Sequence, residues 1–133
     1  MYALFDIGGT KTRVAVSRDL QSFGEPIKFD TPQAYEAGIA ATTEAVKRMS
    51  EGAEVTHACG SVRGSLDARH AGIARDDVLT DWQGRPLAGD LSKHIAAPVL
   101  LENDAALAGL GEAHFGAGKG FAIVAYHTVS TGV

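Results

Sequence analysis

Near the start of the chain, in the stretch MYALFDIGGTKTRV, a carboxylate, two glycines, a hydroxyl and an ammonium follow in quick succession: Asp6, Gly8, Gly9, Thr10 and Lys11. Successive glycine N–H groups can turn inward as an anion-binding nest. Thr10 adds a hydroxyl donor, and Lys11 adds positive charge suited to phosphate oxygens. Asp6 has the chemistry to hold Mg²⁺ directly or through its waters, since magnesium takes carboxylate, water and phosphate oxygens. The glycine-to-lysine spacing is not that of a Walker loop, a strand-like run follows where a helix would be needed, and GxGxxG is absent. A plainer reading stands beside this one. Two glycines between alternating runs also signal a tight hairpin, with glycine taking positive φ and Lys11 solvated at the tip.

A second constellation lies in VLLEND, residues 99–104, followed by AALAGLGEAHFGAG. A strand ends and a helix begins, placing Asn103 or Asp104 at a helix N-terminus. Both residues are favoured caps, and the helix dipole stabilises a carboxylate there by about 0.3–1 kcal/mol. The chemical alternative has Asp104 accepting the proton of a substrate hydroxyl while Asn103 orients the acceptor. Phosphoryl transfer suits such a group, because it depends chiefly on positioning the nucleophile. The carboxyl end of a strand in an open α/β sheet is also where ligands bind.

The elements that must position these residues follow from periodicity. Residues 2–7, 12–17 and 25–30 read as short strands joined locally, hence an antiparallel meander. Thr31 and Pro32 offer a helix start, and Tyr35, Ile39, Thr42, Val46 and Met49 mark one buried helical face that fades near Glu51 and Gly52. Residues 55–60 read as a buried strand, 61–80 as irregular, and a short helix follows Pro86. Residues 99–101 form a strand, 103–115 a helix, and 121–127 (FAIVAYH) a last strand. The order β-β-β-α-β-(α)-β-α-β requires crossovers between the later strands, which are therefore parallel. This is an α/β chain with a mixed sheet. An ending directly after a strand, on a Thr-Gly turn, suggests a piece severed from a larger protein.

Bulk composition narrows the functional classes. The chain has 133 residues, 45% hydrophobic and 21% charged, the proportions of one globular domain. A net charge of −4 without a basic run speaks against a nucleic-acid partner. No apolar stretch approaches the roughly 20 residues of a membrane span, and the start lacks a secretory leader pattern. The single cysteine, Cys59, fits a reducing compartment, so a cytoplasmic location is expected.

Five segments, in order, together resemble the N-terminal lobe of sugar kinases of the ROK family (repressors, uncharacterised reading frames and sugar kinases). DIGGTKT at 6–12 is similar to the family's first phosphate loop, and Gly60 to Asp67 (GSVRGSLD), with Gly72 after it, to its sugar-side loop. Asp81, Trp82, Pro86 and Leu87 resemble the stretch around its usual tryptophan. Glu102, Asn103 and Asp104, followed by Gly111, Glu112 and Gly116, resemble its catalytic segment. Ser130 to Val133 resembles the start of its second phosphate loop.

The resemblance implies an actin-like ATPase (ribonuclease H-like) fold, with three antiparallel strands, then parallel strands, and helices on both faces. It implies ATP-dependent phosphorylation of a hexose or amino-hexose hydroxyl. Asp104 would be the base, and Gly64 and Asn103 sugar contacts. Asp6, Gly8, Gly9, Thr10, Lys11, Thr131 and Gly132 would line the ATP phosphates, with Asp6 near Mg²⁺. Glu112, two helical turns past Asp104, is expected to pack or cap.

The family pattern is not matched everywhere. Arg63 stands where the family usually has proline, pointing to an anionic or unusual acceptor, and Ser130 replaces a common glycine. A C-terminal lobe carrying the adenosine pocket and a zinc site is expected to be absent, so residues 1–133 are read as one lobe, poorly active alone. The five histidines show no ligand spacing, and no zinc is expected. The alternative is a non-catalytic lobe of the same fold that senses sugar or binds a partner. In the family's repressors a DNA-binding helical segment precedes the first strand, whereas here strand one begins at residue 2, which disfavours repression. A third reading is an assembly domain, because an uncovered inter-lobe surface would promote homo-oligomers.

Overall fold

The computed structural model describes residues 1–129; the expected phosphate contacts Thr131 and Gly132 lie outside the described residues. Strands β1 (Tyr2–Ile7), β2 (Lys11–Ser17) and β3 (Ile27–Asp30) form the expected antiparallel meander. Helix α1 (Tyr35–Ser50) crosses to β4 (His57–Val62), which pairs parallel with β1. A small hairpin, β5 (Ser65–Leu66) with β6 (Ile73–Arg75), and one 3₁₀ turn at Thr80–Trp82 follow. Helix α2 (Leu87–Ile95) then leads to β7 (Val99–Asn103), parallel to β4, and α3 (Asp104–Phe115) closes the regular structure. The five-stranded sheet runs β3-β2-β1-β4-β7.

Alternation sorts the sheet into two faces. Ala3, Phe5, Ile7 and Val14 point into the main core with Tyr35, Ile39 and Val46 of α1 and Leu87 and Leu91 of α2. The helical face expected of α1 is therefore the buried one, with Thr42 also enclosed. On the opposite face α3 lies over β4 and β7, yet none of its residues is buried. Leu4 of β1 and Phe115 at the end of α3 line one groove there with Leu20 and Phe23.

Trp82 explains the segment around it. Its ring fills a notch above Gly38 of α1, where a Cβ would lie 2.0 Å from Trp82 Cζ2. Its indole N–H donates to the Gln33 carbonyl at 3.1 Å, and Tyr35 packs edge-on against it with ring centroids 5.4 Å apart.

Three sequence expectations are corrected. Helix α1 does not start on Thr31 and Pro32: the Thr31 hydroxyl is spent on the Gly8 carbonyl at 2.8 Å and on Thr12 Oγ1 at 2.9 Å. Its cap comes from elsewhere, as Asp81 Oδ2 accepts the Tyr35 N–H at 2.8 Å. Residues 61–80, read as irregular, contain the small hairpin, whose antiparallel pairing is only two or three residues long and carries no periodic signal. Residues 121–127 form no strand. Strand structure requires a ladder partner; this segment instead folds back on α3, with Tyr126 against Gly109 and Val124 against Gly118.

Candidate active site

The two chemical segments lie at the carboxyl ends of β1 and β7, the parallel strands on either side of β4. Ile7 of β1 pairs with Val62 of β4, and Val62 with Asn103 of β7. Strand spacing puts the start of the glycine loop and the start of α3 about 10 Å apart. The turns beyond are stitched together: the Arg63 N–H donates to the Ile7 carbonyl at 3.1 Å, and Asn103 Nδ2 donates to the Gly64 carbonyl at 3.0 Å.

At the β7–α3 junction the two polar residues divide their work. Asn103 is the helix cap, its Oδ1 accepting from the N–H groups of Ala105 at 3.0 Å and Ala106 at 3.3 Å. Asp104, the first helical residue, accepts among the described residues only from its neighbour Ala105, at 2.8 Å, and is exposed. Capping therefore falls to Asn103, and Asp104 keeps an open carboxylate oxygen at the mouth.

The glycine loop is tighter than its sequence suggests. The Gly8 N–H closes the turn on the Lys11 carbonyl at 3.0 Å. Neither Gly8 nor Gly9 takes positive φ, so close approach rather than handedness calls for glycine here. A Cβ on Gly8 would sit 3.0 Å from the Lys11 carbonyl oxygen, and one on Gly9 would meet Arg63 Nη1 at 2.6 Å. The Gly9 and Thr10 N–H groups and the Thr10 hydroxyl have no acceptor among the described residues. The Lys11 ammonium pairs with Asp30 on β3.

Asp6 anchors a polar row on the α3 side of the sheet. Its Oδ2 accepts from Arg13 Nη1 at 2.8 Å and its Oδ1 from the Ser61 hydroxyl at 2.7 Å. Ser61 pairs in register with Glu102 of β7. Glu102 Oε1 accepts the Asn103 N–H at 2.8 Å, and His70 Nδ1 lies 3.5 Å from its Oε2. Among the described residues, no three or more His, Cys, Asp or Glu side chains converge on a metal position. Both Asp6 oxygens already accept a hydrogen bond, so the residue suits a magnesium ion held through its coordinated waters rather than directly.

The loop at residues 63–79 is built on carboxylates. Gly64 takes a positive φ of 90°, and a Cβ there would lie 2.8 Å from the Arg75 carbonyl. Asp67 accepts the N–H groups of Ala71 and Arg69, which hold its carboxyl below the usual carboxylate range. Asp76 is 1% exposed at its side chain and binds Arg63 Nε at 2.6 Å. Burial pushes its carboxyl up, but the N–H groups of Leu79 and Val78 and the Arg63 guanidinium outweigh that and hold it below the ordinary value. Glu112 folds over the end of α3, its Oε2 accepting the Ala117 N–H at 3.0 Å.

Sequence reasoning missed Arg13, His70 and Asp76 as parts of this site, and it placed Ser61 and Glu102 in the motifs without giving either a partner. Arg13 was within reach, because a turn that closes residue 8 on residue 11 sets 13 opposite 6. The others depend on parallel registers and a loop conformation that no local pattern encodes.

Comparison with known proteins decides the family. The ROK family pattern matches residues 2–133. The chain belongs to the ROK family. It is 36% identical over 132 residues to a glucokinase of Streptomyces coelicolor, covering 96% of this chain and 40% of that protein. Against a Thermotoga maritima glucokinase it is 30% identical over 130 residues, covering 96% and 41%. Among solved structures, a ROK family glucokinase from Streptomyces griseus, in complex with glucose and AMPPNP, superposes with a TM-score of 0.77. That match has 34% identity and covers 87% of this chain and 37% of the other. An inorganic polyphosphate/ATP-glucomannokinase from an Arthrobacter strain gives a TM-score of 0.75 at 26% identity, covering 91% and 51%. The fold is thus the α/β, mixed-sheet architecture of actin-like sugar kinases. The chain spans about two-fifths of the length of the glucokinases it matches. No helix among the described residues is long and apolar enough to cross a membrane.

Proposed function

We propose that this chain is the N-terminal lobe of an ATP-dependent sugar kinase acting on a hexose or amino-hexose hydroxyl. The observation that carries the reading is the division of labour at β7–α3: Asn103 caps the helix, and Asp104 is left with a free carboxylate oxygen. In this reading the acceptor hydroxyl lies against Asp104, near Gly64 and Asn103. Its oxygen attacks the γ-phosphorus, the bond from that phosphorus to the bridging oxygen breaks, ADP leaves, and the hydroxyl proton passes to Asp104. The Gly9 and Thr10 N–H groups and the Thr10 hydroxyl donate to phosphate oxygens, and Gly8 shapes the turn that presents them. Lys11 contributes after leaving Asp30. Asp6, steadied by Arg13 and Ser61, would hold Mg²⁺, and the ion would neutralise phosphate charge when bound.

Positioning by two closing lobes supplies most of such catalysis. The 133-residue chain alone therefore shows little or no ATP-dependent phosphorylation of glucose, N-acetylglucosamine or N-acetylmannosamine, and the chain fused to the remaining length of a ROK kinase does. In that longer protein Asp104→Asn lowers kcat about 10²-fold or more, the scale of general-base catalysis. Unchanged turnover in Asp104→Asn would return Asp104 to a structural role.

A further inference from the structure

The loop motif offers Lys11 as its cation, yet in the structure Lys11 faces β3 and pairs with Asp30. A different cation lies over the glycine turn. Arg63 Nη1 would be 2.6 Å from a Cβ on Gly9, and Arg63 Cδ 3.1 Å from it, so the guanidinium rests directly on the Gly9 backbone. Its other nitrogens are committed: Nε donates to Asp76 Oδ2 at 2.6 Å and Nη2 to Asp77 Oδ1 at 3.1 Å. Asp76 is itself fixed, its Oδ1 accepting the N–H groups of Val78 at 2.6 Å and Leu79 at 2.8 Å. Nη1 makes no hydrogen bond among the described residues. The loop thus presents the Gly9 and Thr10 N–H groups, the Thr10 hydroxyl and one guanidinium nitrogen held over Gly9, all donors without an acceptor among the described residues.

We propose that Arg63, through Nη1, is the cationic ligand of the phosphoryl group held at the Gly9–Thr10 turn, the role the sequence motif assigns to Lys11. Arginine suits it, because a rigid planar fork can hold two carboxylates along one edge with its other nitrogen fixed in a different direction, whereas a lysine ammonium is a point charge on a flexible stem. Charge-assisted donors to phosphoryl oxygens are the strong ones, and a donor aimed in advance costs no reorganisation when charge develops. Since the Gly64 carbonyl is bound by Asn103, Arg63 also joins the phosphate side of the cleft to the acceptor side.

This inference rests on reading residues 6–11 as a phosphate loop, and the test separates the two. Tripolyphosphate is titrated into the ¹⁵N-labelled 133-residue chain, wild type, R63K and R63Q, following the Gly9 and Thr10 amides and the Arg63 guanidinium resonances. The expected result is saturable shifts of all three in the wild type, with affinity reduced about tenfold or more in both variants. R63K retains a cation beside Asp76, so its thermal midpoint stays near wild type and its lost affinity is not a folding defect. Equal affinity in wild type and R63K would overturn the role of Arg63 and leave the phosphate loop standing. Absence of any response at Gly9 and Thr10 in the wild type would overturn both.

Discussion

Asn103 Nδ2 donates to the Gly64 carbonyl at 3.0 Å while the oxygen of the same amide caps helix α3. One planar group thereby fixes the loop at Gly64 relative to the helix that carries Asp104. Two substitutions separate the two bonds. Asn103→Asp keeps the cap and loses the donor; Asn103→Ala loses both. Losing a cap costs about 0.5–2 kcal/mol. Urea denaturation should therefore find Asn103→Ala the less stable variant, with exchange of the Gly64 and Ser65 amides accelerated in both. Protected loop amides in Asn103→Asp would show that the Gly64 contact does not hold the loop.

Gly38 sits in the first turn of α1, already within its hydrogen-bond ladder, where alanine is the better helix former by up to about 1 kcal/mol. Propensity alone predicts that Gly38→Ala stabilises the protein. Packing reverses the sign, because the added Cβ would lie 2.0 Å from Trp82 Cζ2 and 2.4 Å from its Cη2, and Trp82 is 1% exposed. Overpacking a filled site costs about 1–3 kcal/mol. We expect a lower thermal midpoint and altered Trp82 fluorescence; a raised midpoint with unchanged fluorescence would show that the ring moves freely.

How far the sequence carries a reader depends on the range of the interaction. Strands β1 and β2, the apolar face of α1 and the β7–α3 junction announce themselves through alternation, helical spacing and cap chemistry, all local. The small hairpin at 65–75 does not, because its pairing is too short to have a period. The cap on α1 was misassigned to Thr31 because the residue that fills it, Asp81, is 46 positions from Tyr35 in the chain. Residues 121–127 look like a strand because apolar content is a local property; whether an edge accepts them is not. At the site, residue types were legible and engagements were not. Lys11 reads as an unpaired cation in the sequence, and only the β2–β3 register, which brings Asp30 opposite it, supplies its partner.

Acid unfolding should expose the carboxylates held below their ordinary range. Asp19 accepts the N–H groups of Gln21 and Ser22 and the Ser22 hydroxyl, and its carboxyl is held down at about 2. Around pH 3 it is charged in the folded chain and largely protonated in the unfolded one, so the unfolded state binds more protons and stability rises with pH there. Its contribution is complete above the ordinary value of 3.8 and is lost as pH falls toward about 2. Asn at this position retains an accepting oxygen for the same N–H groups and cannot titrate. The urea midpoint of Asp19→Asn should therefore fall less steeply between pH 4 and 2 than that of the wild type, by about one proton's worth of slope. Identical slopes would place the acid sensitivity in other carboxylates, Asp67, Asp76 and Asp90, which are also held low.

The contact between Gly9 and Arg63 makes a prediction that needs neither nucleotide nor sugar. A methyl group at residue 9 would meet Arg63 Nη1 at 2.6 Å and Val78 Cγ1 at 3.0 Å. Arg63 cannot easily retreat, because Nε and Nη2 are tied to Asp76 and Asp77. Gly9→Ala should therefore destabilise the chain while Arg63 is present. Arg63→Ala removes the obstacle and independently destabilises, since it leaves the buried Asp76 carboxylate without its cation. If the two side chains share this space, the double variant is more stable than the sum of the single losses predicts. A coupling of about 0.5–3 kcal/mol is the range for residues in direct contact. Chemical denaturation of the four proteins in the cycle measures it. Strict additivity would mean that the guanidinium does not lie on the Gly9 backbone in solution, and Arg63 would then be no part of the phosphate loop.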